Sequence, residues 1–357
     1  MKALKQVDVL VVGLGPAGSA AATAAASAGL TVLAIERKQQ IGVPVQCAEF
    51  IPLPLGQYAQ APGVLQQRIS GMISRLPSGA EDTSALPGLM VDRAAFDQAL
   101  AQQAAQHGAE LWSACRLVCI DAPASRAVVN TPSGETDIAY RILIAADGPH
   151  SSVAASLKLP PLATVYTRQY SVPLRKPLVH TEIWLSGDYP GGYAWLFPKG
   201  VCANLGAGAD KRFTHDLKQP LDALHRYLVT HGVVGAETIS LTGGLIPVGG
   251  LRSELVLGNI LFVGDAAGLT HPITGAGIAA AVASGELAGE AAECYLQEQQ
   301  AGALLDYENE IRERYGPSLQ RAIARRRQLD DYWQTEINDA QQRQAWIAFP
   351  EYFEELR

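Results

Sequence analysis

A chain of 357 residues with 48% hydrophobic and 18% charged residues has the balance of a globular protein with more than one core, and it excludes a disordered one. The net charge of −7 and a pI near 5.5 exclude the basic face of a nucleic-acid binder and specify no partner. No run reaches about 18 uninterrupted apolar residues, which argues against a membrane-spanning helix, and residues 1–6 leave no room for a signal peptide.

The five cysteines are few, odd in number and not spaced as metal ligands, so they read as reduced thiols of a cytoplasmic protein without a metal site. Cys115 and Cys119, four apart in an expected strand, should share a face and lie in the core.

In chain order, Asp8-Val9-Leu10-Val11-Val12 is an apolar, β-branched run of buried-strand length. It leads into Gly13-Leu14-Gly15-Pro16-Ala17-Gly18. An Ala-rich helix over about 17–28 follows, closed by Gly29, and a second strand over 31–35 ends at Glu36. In this dinucleotide-binding pattern Gly13 permits the turn, Gly15 lets the backbone approach a pyrophosphate, and Gly18 lets helix and strand pack. The helix start, Pro16 and Ala17 included, offers free N–H groups to the diphosphate, and Glu36 is placed to accept from a ribose.

Next come Arg37 and a loop containing Gln46, Cys47 and Ala48. Asp92-Arg93-x-x-Phe96-Asp97, with Leu100 and Ala104 at helical spacing, opens a helix whose Arg93 is either a solvated helix-start charge or a cofactor contact. Residues 142–146 form a strand ending at Asp147-Gly148. The stretch 161–244 reads as an antiparallel sheet with turns at 187–190 and 198–200, followed by a helix over 217–230. Within it Tyr193, Trp195 and Phe197 alternate onto one strand face. That face packs on core or, with Trp184, walls an apolar substrate cavity.

A turn and buried strand over 257–263 precede Gly264-Asp265, then Pro272-Ile273-Thr274-Gly275-Ala276-Gly277-Ile278 opens a second Ala-rich helix to about residue 296. The tail, about 301–357, is charged and helical. Its Arg325-Arg326-Arg327 run, flanked by acids, reads as a salt-bridged solvated face rather than a site for phosphate or an acidic membrane surface.

The Gly264-Asp265 and Pro-x-x-Gly-x-Gly segments resemble the second FAD signature of glutathione-reductase-type flavoproteins. Asp147-Gly148 and the Arg93 segment resemble motifs of the p-hydroxybenzoate hydroxylase fold. Tyr-x-Trp-x-Phe-Pro, followed seven residues later by Gly206-Ala207-Gly208, and Pro44-x-x-Cys47 resemble signatures of the geranylgeranyl reductase family. The departures are Ala48 where that family has Gly and His271 where archaeal members have Asp.

The resemblance implies an α/β fold. A glutathione-reductase-type FAD-binding Rossmann domain, discontinuous over 1–75, 90–160 and 245–300, carries an inserted antiparallel-sheet substrate domain at 76–89 and 161–244, with a C-terminal helical segment at 301–357. It implies FAD as cofactor, with Asp265 at the ribityl chain, Arg93 at the ribityl–pyrophosphate region, the helix start at Ile278 facing the flavin, and Cys47 beside the isoalloxazine. Only one glycine fingerprint is present, so electrons must come from NAD(P)H at a transient site or from a redox partner protein.

The implied activity is reduction of C=C bonds in an isoprenoid or other apolar substrate, with Cys47, Tyr193 and Trp195 at the reacting face. The alternative is hydroxylation of an aromatic ring, on a small molecule or a protein-borne residue, through a flavin C4a-hydroperoxide. The fold hosts both. Peripheral membrane contact is compatible with either reading.

Overall fold

The strand that precedes the glycine loop runs through the middle of the molecule. The computed structural model describes residues 4–333 and 337–355; the extremities of the expected first and last segments lie outside the described residues. Leu4–Val12 pairs in parallel with Gly134–Ala145 on one side and Val32–Ile35 on the other. Glu110–Trp112 and Ile260–Phe262 extend the sheet in the same sense. Val9, Leu10 and Val11 are fully buried, because a parallel sheet is covered on both faces and needs an unbroken apolar run.

Helix Pro16–Ser27 follows the first strand, and helix Ile278–Leu296 packs against it through small residues. A Cβ on Gly285 would fall 2.1 Å from the Ala17 carbonyl oxygen, and one on Gly289 2.5 Å from the Ala24 methyl. The alanine and glycine stripes thus bring two helix backbones into contact and fix the position of the Gly264–Ile278 segment against the first loop.

The outer half of Gly134–Ala145 continues into an antiparallel meander with Arg126–Thr131 and Arg116–Asp121. Here one expectation fails. Val128 pairs with Cys119 but Val129 pairs with Leu117, so Val118 is an extra residue in a β-bulge. The bulge breaks the alternation: Cys115 is buried and Cys119 is exposed.

A second sheet runs in the order Ser240–Thr242, Thr164–Pro173, Cys202–Ala209, Ala194–Lys199, His180–Trp184, Gly71–Arg75, Glu81–Ser84. It is antiparallel except where His180–Trp184 and Gly71–Arg75 run in parallel. Gly71–Arg75, expected in the first lobe, therefore belongs to this sheet. The strand expected from Gly191 starts at Ala194, since Gly191 turns at φ +75° over Asp210.

Helix Lys218–Thr230 buries Leu221, Leu224 and Leu228 on one face of this sheet, against Tyr170, Val172, Leu196 and Leu205. The opposite face carries Ile183, Trp195 and Phe197.

Helix Ala303–Asp330 corrects the expectation of a solvated basic face. Arg325 is buried and donates to the backbone carbonyls of Glu351, Tyr352 and Glu354. Arg326 is also buried, bonded to the Gly191 carbonyl and to Asp210. Both guanidiniums bond to internal partners. They clamp the C-terminal segment and the second sheet onto the helix.

Candidate active site

The glycine loop opens onto a cavity of about 440 Å³, walled by Gly13, Gly15, Glu36, Arg37, Gln46, Cys47, Arg93, Asp147 and Gly148 among others. The three glycines differ in what surrounds them. A Cβ on Gly13, at φ +102°, would lie 2.4 Å from the Ala146 carbonyl oxygen, and one on Gly18 would lie 1.8 Å from the Gly13 carbonyl oxygen. A Cβ on Gly15 meets nothing within 4 Å. Gly13 and Gly18 are demanded by the protein's own packing, while Gly15 leaves free space on the cavity side.

The helix that begins after Gly15 has no side-chain cap and no acid in its first turn, so its N–H groups are available to an anion. Glu36 accepts from the Leu14 N–H at 3.0 Å and the Lys38 N–H at 3.0 Å, which locks its carboxylate at the cavity edge. Asp147 uses Oδ2 to accept from Ser152 and the Val153 N–H. Its Oδ1 is buried with no partner among the described residues. A buried carboxylate oxygen without a donor is costly unless a ligand supplies one. An open glycine face, a free helix N-terminus and an orphaned acceptor fit a dinucleotide-type cofactor.

Arg93 is paired and largely buried. Its guanidinium donates to Asp97 through Nε at 3.1 Å and Nη2 at 3.1 Å, and its side chain is only 14% exposed. Burial works against the charge, yet Asp97 and then Cys47 hold its pKa above the ordinary guanidinium value. It is not a solvated helix-start charge. The Cys47 thiol lies at this guanidinium and accepts from the Glu49 N–H at 3.2 Å. Asp265 is buried, which pushes its carboxyl up; Thr270 donates to it at 2.5 Å, and the Arg93 charge acts in the opposite sense to burial.

Several expected site residues stand outside the cavity wall. Pro16, Ala17 and Gly18 are in the helix behind the loop, with Ala17 against Gly264. Ala48 packs among the aromatic residues instead of the cavity. Gly264, Asp265, Pro272, Gly275, Ala276, Gly277 and Ile278 form a neighbouring turn and helix start, joined to the cavity through the field of Arg93 on Asp265.

His271 begins that turn. Its Nδ1 accepts from the Ile273 and Thr274 N–H groups at 3.4 and 3.3 Å, the acceptor work that a carboxylate would do there. Burial lowers its pKa to about 4, so the ring is neutral at physiological pH.

Tyr193, Trp195 and Phe197 share one face, as alternation requires, and Tyr193 stacks edge-on to Trp195 at 5.7 Å. Tyr193 donates to the Thr274 carbonyl at 2.5 Å, tying the aromatic face to the glycine-rich turn. Burial, and then Cys47, push its hydroxyl pKa well up. Trp184 is a correction. It pairs with Ala194, not with Trp195, so it points to the opposite face and packs under helix Lys218–Thr230.

Sequence reasoning missed Gln169, a buried polar residue in Thr164–Pro173. It accepts from the Trp195 indole N–H at 3.0 Å and donates to the Cys47 carbonyl at 3.0 Å. Trp346 and Phe349, legible in the tail's sequence as packing anchors, cover the aromatic face; Trp346 lies 4.9 Å from the Tyr193 ring. A lone Gln in a strand carries no signal until its register is known.

Two family profiles match: "FAD dependent oxidoreductase" over residues 8–146 and "Lycopene cyclase protein" over residues 213–347. A digeranylgeranylglycerophospholipid reductase of Methanococcus aeolicus is 31% identical, over 93% of this chain and 89% of the relative. The enzyme of the same name from Methanocaldococcus jannaschii is 32% identical, over 95% and 90%. Among solved structures, a geranylgeranyl bacteriochlorophyll reductase-like protein of Thermoplasma acidophilum superposes with a TM-score of 0.83 at 28% identity, over 94% of each chain. Aklavinone-11 hydroxylase, solved with FAD and aklavinone, shares the fold at 19% identity, with a TM-score of 0.71 over 93% of this chain and 71% of that one.

Proposed function

We propose, from the premise that this chain belongs to the geranylgeranyl reductase family of FAD-dependent oxidoreductases, that it saturates C=C bonds of an isoprenoid lipid. The observation that carries the reading is the aromatic face of the second sheet, bonded through Tyr193 to the glycine-rich turn and through Gln169 to the Cys47 loop. An apolar wall held at that place would seat an apolar chain and shield the reacting face from solvent and oxygen.

Bound and reduced FAD supplies the hydride for such a reduction. The chain's residues do the rest. Gly15 and the helix start after it hold the pyrophosphate, Glu36 the adenosine ribose, and Arg93 and Asp265 the ribityl side. Tyr193 has committed its proton to Thr274, which leaves the Cys47 thiol, beside Arg93, to deliver the proton to the second alkene carbon. Trp195 and Phe197 seat the chain. No helix among the described residues is long and apolar enough to cross a membrane, so a lipid substrate would be met at a membrane surface. Electrons would enter from NAD(P)H or from a redox protein.

The test is anaerobic incubation of the dithionite-reduced holoenzyme with a geranylgeranyl-bearing lipid. The expected product is heavier by two hydrogens per bond saturated. An unchanged lipid, together with oxygen incorporation into an aromatic substrate in air, would overturn the reading.

A further inference from the structure

Glu49 is a buried acid that no part of the proposed chemistry uses. Its residue is 4% exposed and its backbone is left-handed, at φ +70°, a conformation unfavourable for a non-glycine residue. Several bonds hold it there. Lys199 Nζ donates to both carboxylate oxygens at 2.9 Å, and Asn204 Nδ2 donates to Oε2 at 2.8 Å. The Arg93 N–H donates to Oε1 at 2.9 Å, and the Val91 N–H donates to the Glu49 backbone carbonyl.

The partners come from different parts of the fold. Lys199 and Asn204 lie on neighbouring strands of the second sheet. Arg93 is the first residue of helix Arg93–Gln106, whose N-cap, Asp92, also meets Lys199 at 3.4 Å. The Glu49 N–H itself donates to Cys47 Sγ at 3.2 Å.

We infer that Glu49, paired with Lys199, is the positioning residue that sets Cys47 and Arg93 against each other and couples both to the second sheet. The side-chain bonds hold the left-handed turn, the turn aims the N–H at the Cys47 sulfur, and the same carboxylate anchors the start of the helix that carries Arg93. Glu49→Gln keeps one acceptor oxygen but turns the other into an NH2 that faces the Lys199 and Asn204 donors and removes the charge opposite Lys199, so the loop relaxes and the sulfur loses its donor. The inference rests on the proposed site for the roles of Cys47 and Arg93, but its geometry stands without a flavin.

The test uses Glu49→Gln and Lys199→Met, with Lys199→Arg as the conservative variant. The readouts are the alkylation rate of Cys47 by iodoacetamide at fixed pH, followed by mass spectrometry on folded protein, and the absorption spectrum of the holoenzyme. Loss of the N–H to sulfur should slow alkylation of Cys47 about five-fold, the weight of one ordinary hydrogen bond. Glu49→Gln and Lys199→Met should slow it alike, and Lys199→Arg should restore the wild-type rate. A Cys47 rate unchanged in folded Glu49→Gln overturns the inference and leaves Glu49 a structural ion pair. The thiol readout needs no cofactor, so it still decides if the wild type binds no FAD, an outcome that would instead sink the flavin assignment. A Glu49→Gln variant too unstable to purify would move the test to Lys199→Met, where an unchanged rate is equally fatal.

Discussion

Gly15 separates a residue kept for a ligand from residues kept for the fold. Its φ of −78° and ψ of −173° are open to any side chain, and a Cβ there meets no protein atom within 4 Å. Gly15→Val should therefore fold with stability within about 0.5 kcal/mol of wild type. The added carbons project where a pyrophosphate oxygen must come within about 2.9 Å of the backbone N–H groups. Forcing a ligand past them costs on the order of 1–3 kcal/mol, or roughly 5- to 150-fold in Kd.

The neighbouring glycines should behave in the opposite way. Gly18→Ala places a methyl 1.8 Å from a carbonyl oxygen, and Gly13→Ala adds a Cβ at φ +102°. Both should lose several kcal/mol and misfold whether or not flavin is present. The assay is chemical denaturation of apoprotein alongside fluorescence titration with FAD. Wild-type FAD affinity in Gly15→Val, or wild-type stability in Gly18→Ala, would refute the reasoning.

His271 gives a pH prediction whose sign follows from burial. Its folded-state pKa of about 4 lies below the 6.5 of the unfolded chain, so between those values the unfolded state binds the extra proton, and stability falls as pH drops from about 7.5. The contribution at pH 5 is about 2 kcal/mol relative to pH 8. His271→Asn keeps an acceptor for the turn and should abolish that loss in urea unfolding at the two pH values. Gln169→Leu leaves the Trp195 N–H and the Cys47 carbonyl unpaired in the interior, so denaturation should show about 2–4 kcal/mol of destabilisation. Cys47→Ser should lower turnover at least ten-fold if the thiol delivers the proton; an unchanged rate would reduce Cys47 to packing. Trp195→Ala should raise KM for the lipid, whereas Trp184→Ala, on the far face, should leave KM within two-fold and show its effect only in stability.

The βαβ unit was legible because its signal is local. A continuous apolar strand, glycines at fixed offsets, an Ala-rich helix and an acid after the next strand each declare themselves within a few residues, and the structure places Glu36 on the Leu14 N–H accordingly. What failed needed a partner strand or a distant segment. The bulge at Val118 exists only relative to Arg126–Thr131, so Cys119 turned outward without any warning in its own sequence. Arg325 and Arg326 were read as solvated because acids flank them in the sequence. Their partners include backbone carbonyls, which carry no residue-type signal, and Asp210, which is distant in the chain.

The aromatic face shows where local reading stops. Alternation places Tyr193, Trp195 and Phe197 together but is silent on what lies across from them. The answer is Trp346 and Phe349, which are 2% and 1% exposed and bury the same aromatic surface that the proposed substrate would contact. On the proposed reading, the substrate and the C-terminal segment would compete for one wall. Polar contacts hold that segment along its length: Asp339 with Ser78, Ser84 with the Ala348 carbonyl, Arg343 with Glu351, Arg325 with the carbonyls of Glu351, Tyr352 and Glu354, and Tyr352 beside His271. The Trp346 Nε1 is buried without a partner among the described residues, while its ring packs edge-on against Tyr193 at 4.9 Å. On the proposed reading, the depth open to an isoprenoid chain would be set where Trp346 meets Tyr193, so it is written in the tail and in the sheet together and in neither alone.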